Sequence, residues 1–344
     1  MNNKTPVRLA MLGASHSHAG GKTRWLRDLP DVDFVGVYEP NLAVRTKRTF
    51  ELEYQHVRWI ESIENILSDD SITGIVIGGA AEENPAYARR ALAANKHVLM
   101  EKACGWTKSH ADELIGESEQ KGLLFQMGYN FRLLPHIRHV LDMAEAGDFG
   151  SVYAARVHMG SAFQPTPLQL SDGQPYFRGG IMYILGCHAL DLVMAVLGKP
   201  VAVHPHFLSI HPQSREIDYP DYVVVVLEYV QARATIEVSL VETEGSLPRS
   251  FEVFGTDGQA IASPFKPAAT AAPTVAVHQG GSDALNGWRH YGFNPYESFR
   301  ADIEEFIACI GGKKEPRFSY AHDRAVQHTL MDICGESDTQ EQVR

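Results

Sequence analysis

The sequence predicts an α/β protein in two parts: a parallel sheet covered by helices, then a second α/β domain built on a mostly antiparallel sheet. Three observations carry this. Up to residue 127, short apolar runs alternate with helix-compatible segments, the pattern of a parallel sheet covered on both faces. Between residues 202 and 254, strand-like runs follow one another without a helix, the pattern of an antiparallel sheet. The chain has 344 residues, 44% of them hydrophobic, enough for two full cores.

Val7 to Leu12 is an apolar run of strand length, broken by Gly13. The next segment sets Trp25, Leu26 and Leu29 on one helical face and is closed by Pro30 and Asp31. Phe34 to Tyr38 is a second strand, ending on Glu39-Pro40. Ser62 to Leu67 reads as a short helix, and Ile72 to Ile77 as a buried strand running into Gly78-Gly79. Asn84 and Pro85 are expected as N-cap and first residue of a helix reaching Ala94, with Asn95 as its left-handed cap. His97 to Met100 is a strand ending at Glu101-Lys102. Thr107 caps a helix that stops near Gly122, and Leu123 to Met127 is one more strand.

After Gly128 the character changes. His136 to Ala146 is a helix ended by Gly147, and Val152 to His158 is a strand. Gly160 to Gly180 is a polar, proline-rich loop, and Gly186 to Leu197 an apolar helix ended by Gly198. Strands are expected at Ala202 to Ile210, Tyr222 to Val230, Ala234 to Val241 and Phe251 to Phe254, with Asp257-Gly258 as a hairpin turn. Ser263 to Gly281, rich in Pro, Ala and Gly, reads as a long loop. Helices near Tyr296 to Ile310 and Ala321 to Ile333 complete the chain.

The net charge of -11 argues against a general nucleic-acid or anionic-membrane binder, which needs a basic face. Cys104, Cys187, Cys309 and Cys334 are scattered without a C-x-x-C, so neither a disulfide framework nor a zinc knuckle is expected. No apolar run reaches membrane-spanning length, and the N-terminal apolar stretch is too short for a signal peptide. A cytoplasmic protein with reduced thiols is expected.

Strand, glycine turn, helix, strand and then an acid describes the first half of a dinucleotide-binding unit. The turn must let backbone N–H groups approach a pyrophosphate, and the helix points its positive end at the phosphates. Glu39, at the tip of the second strand, suits the ribose hydroxyls and so favours NAD over NADP. The glycine fingerprint is incomplete: Gly13 matches, Ser15 stands at the second glycine and bulky His18 at the third. A strand–helix–strand unit that binds no nucleotide stands beside this reading with equal weight.

The segment NKHVLMEK at Asn95 to Lys102 resembles the A-G-K-H-V-x-x-E-K-P motif of the Gfo/Idh/MocA family, the glucose–fructose oxidoreductase and inositol dehydrogenase group. IESIENILSDDSITGIVIGG, GYNFRLLPHIRHVLDMAEAGDFGSVYAARVH, GGIMYILGCHALDLVMAVLG and FEVFGTDGQA resemble further segments of that family, in order, over nearly the whole chain. The resemblance implies an N-terminal Rossmann domain (1–127) and a C-terminal α/β domain (128–344) for substrate binding, whose open-faced sheet commonly forms the oligomer interface. It also implies NAD(P)-dependent oxidation or reduction of sugars, cyclitols or related polyols.

Cofactor contacts are expected from Gly13, Ser15, His16, Glu39, Gly79, Asn84 and Glu101, with no resident metal. Asn84 stands where many members carry histidine, and helix capping is its plain alternative. Lys102, at the carboxyl edge of the parallel sheet, is the first catalytic candidate: it can polarise a substrate oxygen or act as a base. A solvated surface lysine is the alternative. His188 is the second, matching G-x-H-x-x-D with Asp191 three residues on; taken alone it reads as a core histidine hydrogen-bonded to Asp191. The family usually carries an aspartate four residues before this histidine, one helical turn away. Here that residue is Ile184, which leaves a binding protein without turnover as the alternative function. Ala103 replaces the family's proline. Arg132, His158 and Tyr183 are the expected substrate contacts, and pairing with an acid is the other reading of Arg132.

The H-x-H at His16 and His18 also suits the metal site that opens an amidohydrolase barrel, with Lys102 as bridging lysine. Ala14 in place of aspartate and the strand-rich second half argue against that reading. Finally, Val223 to Leu227 is unbroken apolar sequence. A sheet apolar on both faces needs two covers, so a homodimer or homotetramer is expected.

Overall fold

The structure is a computed structural model that describes residues 5–162, 179–243, 249–265, 272–280 and 287–335. Its helices and strands run β1 (Val7–Leu12), α1 (Ala19–Asp28), β2 (Val32–Tyr38), α2 (Leu42–Thr49), β3 (Trp59–Ile60), α3 (Glu64–Leu67), β4 (Gly74–Ile77), α4 (Asn84–Ala93), β5 (His97–Met100), α5 (Lys108–Lys121) and β6 (Phe125–Met127). Then follow α6 (Pro135–Glu145), β7 (Val152–Gly160), α7 (Cys187–Leu197), β8 (Ala202–Leu208), α8 (Pro212–Glu216), β9 (Tyr222–Glu228) and β10 (Arg233–Ser239). The chain ends with β11 (Ser250–Gly255), β12 (Gly258–Ser263), β13 (Thr274–Gln279), β14 (Arg289–Gly292), α9 (Ser298–Ile310) and α10 (Tyr320–Cys334). Two compact units result, Met1–Asn130 with Glu297–Arg324, and Phe131–Tyr296 with Ala325–Arg344. The expected division at 127/128 did not foresee the return of Glu297–Arg324 to the first unit.

The first unit is a six-stranded sheet in the order β3-β2-β1-β4-β5-β6, parallel throughout. This is the expected Rossmann sheet. The strand order reverses between β1 and β4, where open α/β sheets bind ligands beyond their carboxyl ends. β4 is buried along its whole length and β1 over its last four residues, as strands covered on both faces must be. One core joins Leu9, Met11, Leu26 and Val76 to Ile303 and Phe306 of α9. Gly21 makes the α1–α9 packing close: a Cβ there would collide with the Phe299 ring. Thr107 caps α5 through the N–H of His110, and Gly122 closes it in the left-handed conformation, both as expected.

α2 was not foreseen. It has no buried residue and hence no apolar stripe to read; its one sequence sign is Asn41, which accepts from the N–H groups of Ala43 and Val44. Asn84 does not cap α4. Glu83 is the N-cap and Asn84 the first helical residue, with neither amide atom hydrogen-bonded.

The second unit is an eight-stranded sheet in the order β14-β13-β12-β11-β7-β10-β9-β8. Every pair is antiparallel except β7 with β10. The mostly antiparallel sheet is therefore as expected. Ser263 to Gly281 is not one long loop: β12 ends at Ser263 and β13 occupies Thr274–Gln279, while residues 266–271 lie outside the described set. Composition hid β13, whose alternation is short and flanked by proline and glycine. Of the expected Gly160 to Gly180 loop, residues 163–178 also lie outside the described set. Along β9, Val223, Val225 and Leu227 are buried, whereas Val224 and Val226 remain half-buried on the other face. None of the four cysteines is joined in a disulfide. No helix among the described residues is long and apolar enough to cross a membrane.

Candidate active site

In the first unit the chemistry gathers at the carboxyl edge of β1, β4 and β5. Gly13 has φ of 76°, and a Cβ there would collide with the backbone of Gly79. The turns after β1 and β4 therefore meet as bare backbone, with the N–H of His16 donating to the carbonyl of Gly78 at 3.0 Å. Ser15 Oγ and both amide atoms of Asn84 are buried there without a hydrogen-bond partner. Orphaned donors and acceptors beside a glycine cradle fit a polar ligand that brings its own hydrogen bonds, as a dinucleotide does.

Glu39 is buried, and its carboxylate accepts from the N–H of Ala14 at 2.7 Å and of Asn41 at 2.8 Å. It thus ties the end of β2 to the glycine turn. Arg48 holds the same turn from the other side, donating to the carbonyls of Ala14 at 2.8 Å and His16 at 2.9 Å. Arg48 escaped the sequence reading together with its helix.

Glu101 is the centre of a buried charge network. Lys22 Nζ lies 2.8 Å from Glu101 Oε1 and 2.9 Å from Asp302 Oδ2, and neither Lys22 nor Glu101 is exposed. Gln126 donates to the other oxygen of Asp302 at 2.8 Å. His18 Nδ1 is 3.0 Å from Glu101 Oε2, and His16 Nδ1 is 3.8 Å from the same oxygen. Burial pushes Glu101 up, but Lys22 and then His18 and His16 outweigh it and hold the acid well below the usual range. Burial lowers both histidines, against the attraction of Glu101. The imidazoles are therefore neutral at neutral pH and the acid is ionised. A carboxylate only accepts, so His18 carries its proton on Nδ1. His16 Nδ1 accepts the N–H of His18 at 3.1 Å. Lys22 was legible only as a residue four places after His18; nothing in the sequence pointed to Asp302. Lys102 follows Glu101, is buried, and is joined to Ala103 by a cis peptide.

In the second unit His188 is buried on α7, its ring 4.6 Å from Phe131. Asp191, on the same helix, accepts from Arg132 Nη1 at 3.0 Å with both residues buried. Arg132 is thus paired with an acid, the second of its two expected readings. His158 lies between Glu242 at 2.8 Å and Glu237 at 3.4 Å. Tyr183 and Ile184 fall in a π-helical turn, Met182–Gly186, that leads into α7. Ile184 is therefore not separated from His188 by an ordinary α-helical turn. π turns of this kind recur at functional sites.

A parallel six-stranded sheet with a glycine turn and an acid-tipped second strand is the architecture of a dinucleotide-binding domain. Residues 7–129 match the model of an oxidoreductase family with an NAD-binding Rossmann fold, and residues 137–261 that of the GFO/IDH/MocA C-terminal domain. The chain belongs to the Gfo/Idh/MocA family. It is 22% identical over 336 residues to a dTDP-3,4-didehydro-2,6-dideoxy-alpha-D-glucose 3-reductase from Actinomadura kijaniata, covering 96% of this chain and 95% of that one. It is 23% identical over 241 residues to a scyllo-inositol 2-dehydrogenase (NADP(+)) from Bacillus subtilis, covering 67% of this chain and 65% of that one. Its fold matches the crystal structure of a 3-ketoreductase from Actinomadura kijaniata in complex with NADP and TDP-benzene, with a TM-score of 0.73, 20% identity and coverage of 95% and 96%. A parallel sheet followed by a mostly antiparallel one is not the amidohydrolase barrel.

Proposed function

We propose that the protein moves hydride between a nicotinamide cofactor and a CH–OH carbon of a sugar, cyclitol or related polyol, with NAD preferred to NADP. The observation that carries this reading is the glycine cradle of Gly13 and Gly79, with the orphaned polar atoms of Ser15 and Asn84 beside it. The relatives named above, which act on a sugar and an inositol, support the substrate class.

The bound cofactor would supply the hydride acceptor or donor. Gly13, Ser15, His16, Gly79 and Asn84 would hold it, and Glu39 would disfavour a 2′-phosphate by charge. Glu101, fixed by Lys22, orients the turn from which Lys102 projects. Lys102 polarises the substrate oxygen, and His188 takes or returns the alcohol proton. Arg132 and His158 are held by acids and so are pre-oriented for hydroxyl groups; Tyr183 is the third proposed substrate contact. In this reading residues 1–127 serve the cofactor, and 128–344 the substrate and assembly into a homodimer or homotetramer in the cytoplasm.

Screening the purified protein for NAD reduction with polyols, inositols and sugar acids tests the reading. Turnover with one of them is expected. Cofactor binding without turnover on any would favour a sensor, the reading that Ile184 in place of the family's aspartate supports.

A further inference from the structure

The His16–His18 pair has no part in the reaction proposed above beyond a cofactor contact from His16. Both side chains reach solvent, at 16% and 24% exposure, while Glu101 beneath them is closed off. The ligand atoms of the three residues lie within 4.8 Å of one another. We propose that His16, His18 and Glu101 form a binding site for one divalent transition-metal ion, with zinc as the best match.

The geometry is close to what such an ion needs, once the ion replaces the His18 N–H that His16 Nδ1 now accepts. Metal–nitrogen and metal–oxygen bonds of about 2.0–2.1 Å place tetrahedral ligands roughly 3.3 Å apart. The two histidine–carboxylate edges, 3.0 and 3.8 Å, bracket that separation. Two imidazoles and one carboxylate form a ligand set of the catalytic rather than the structural kind, because the fourth position stays open for water or a substrate oxygen.

The surroundings support the ligands. Lys22 engages Oε1 of Glu101 and leaves Oε2 towards the imidazoles. A ligating carboxylate whose second oxygen is hydrogen-bonded is the usual supported arrangement. Two imidazole nitrogens favour zinc over calcium or magnesium, which take mostly oxygen ligands. For His18 Nδ1 to ligate, the ring takes its other neutral tautomer, with the proton on Nε2, so the neutral imidazole binds without net proton loss.

The test is calorimetric titration of Zn²⁺ alone into chelator-treated protein, in two buffers of different ionisation heat. It needs neither cofactor nor substrate, so failure of the dehydrogenase reading would leave it intact. One saturable equivalent is expected, with little dependence on the buffer because the neutral imidazoles and the ionised carboxylate bind without net proton release. Cobalt(II) should give the visible bands of a four- or five-coordinate ion. His16→Ala and His18→Ala should each abolish the saturable phase, while the exposed His290→Ala keeps it. Thermal melts check that the variants fold, and His16→Gln and His18→Gln replace any that do not. The site is refuted if the wild type shows no saturable zinc binding, or if the folded His16 and His18 variants bind zinc as the wild type does.

Discussion

Lys22 and Glu101 form a 2.8 Å ion pair in which neither side chain reaches solvent, and Asp302 closes on the same ammonium at 2.9 Å. Burial works against the charge on Lys22, but Asp302 and Glu101 outweigh it and raise its pKa. Removing the cation leaves two buried acids facing each other. Lys22→Met should therefore destabilise the protein by about 3–5 kcal/mol, measured by urea unfolding. A loss below roughly 1 kcal/mol would show that the network is not a structural unit.

His136, near the start of α6, is buried between Phe265 and Phe293, and its Nε2 has no hydrogen-bond partner. Burial lowers its pKa from 6.5 to about 4. Below pH 6.5 the unfolded imidazole gains a proton that the folded one refuses, so stability is lost as pH falls from 6.5 to about 4. The loss from this residue is about 3 kcal/mol at most. His136→Leu should flatten that part of the stability profile. An unchanged slope would mean that the fold admits the charged ring.

Glu39 both ties the glycine turn and carries the charge proposed to exclude a 2′-phosphate. Fluorescence titration should show tighter binding of NADH than of NADPH. In Glu39→Ala the preference should shrink and NADH affinity should fall as well, because Ala14 and Asn41 lose their acceptor. Equal or tighter NADPH binding by the wild type would remove the assignment.

Lys102→Ala and His188→Ala should each reduce turnover by ~10²–10⁴-fold with NADH affinity largely kept. Ile184→Asp probes the same chemistry from the opposite direction. In an active enzyme the new carboxylate should disturb binding of the present substrate; in one that has lost activity it should restore some polyol oxidation. Full activity in both alanine variants would move the catalytic groups elsewhere.

On β9, Val224 and Val226 keep half-buried apolar side chains on the face opposite the buried Val223, Val225 and Leu227. Light scattering at micromolar concentration should give a dimer or tetramer, and Val224→Glu with Val226→Glu should shift it towards monomer. A wild-type monomer would discount the second cover inferred from this strand.

The sequence by itself determined the elements whose physics is local. β1, β5, α5 and the hairpin at Asp257 follow from apolar period, caps and turn residues within a few positions of each other, and their order implied a parallel sheet followed by an antiparallel one. Gly13, Glu39, Lys102 and His188 stand out as candidates because each sits at a fixed offset from such an element. α2 and β13 were not, since an exposed helix carries no stripe and a short strand between glycine and proline looks like loop. Only the tertiary structure decided the charge network. Lys22 and Asp302 are 280 residues apart, and a buried ammonium is tolerable only where two carboxylates converge on it. It also decided that Arg132 meets Asp191, that Asn84 leaves its amide unbonded rather than capping its helix, and that His16 and His18 turn towards Glu101. Spacing fixes which side chains share a face; which distant groups meet there, and so which charges survive burial, is set by packing.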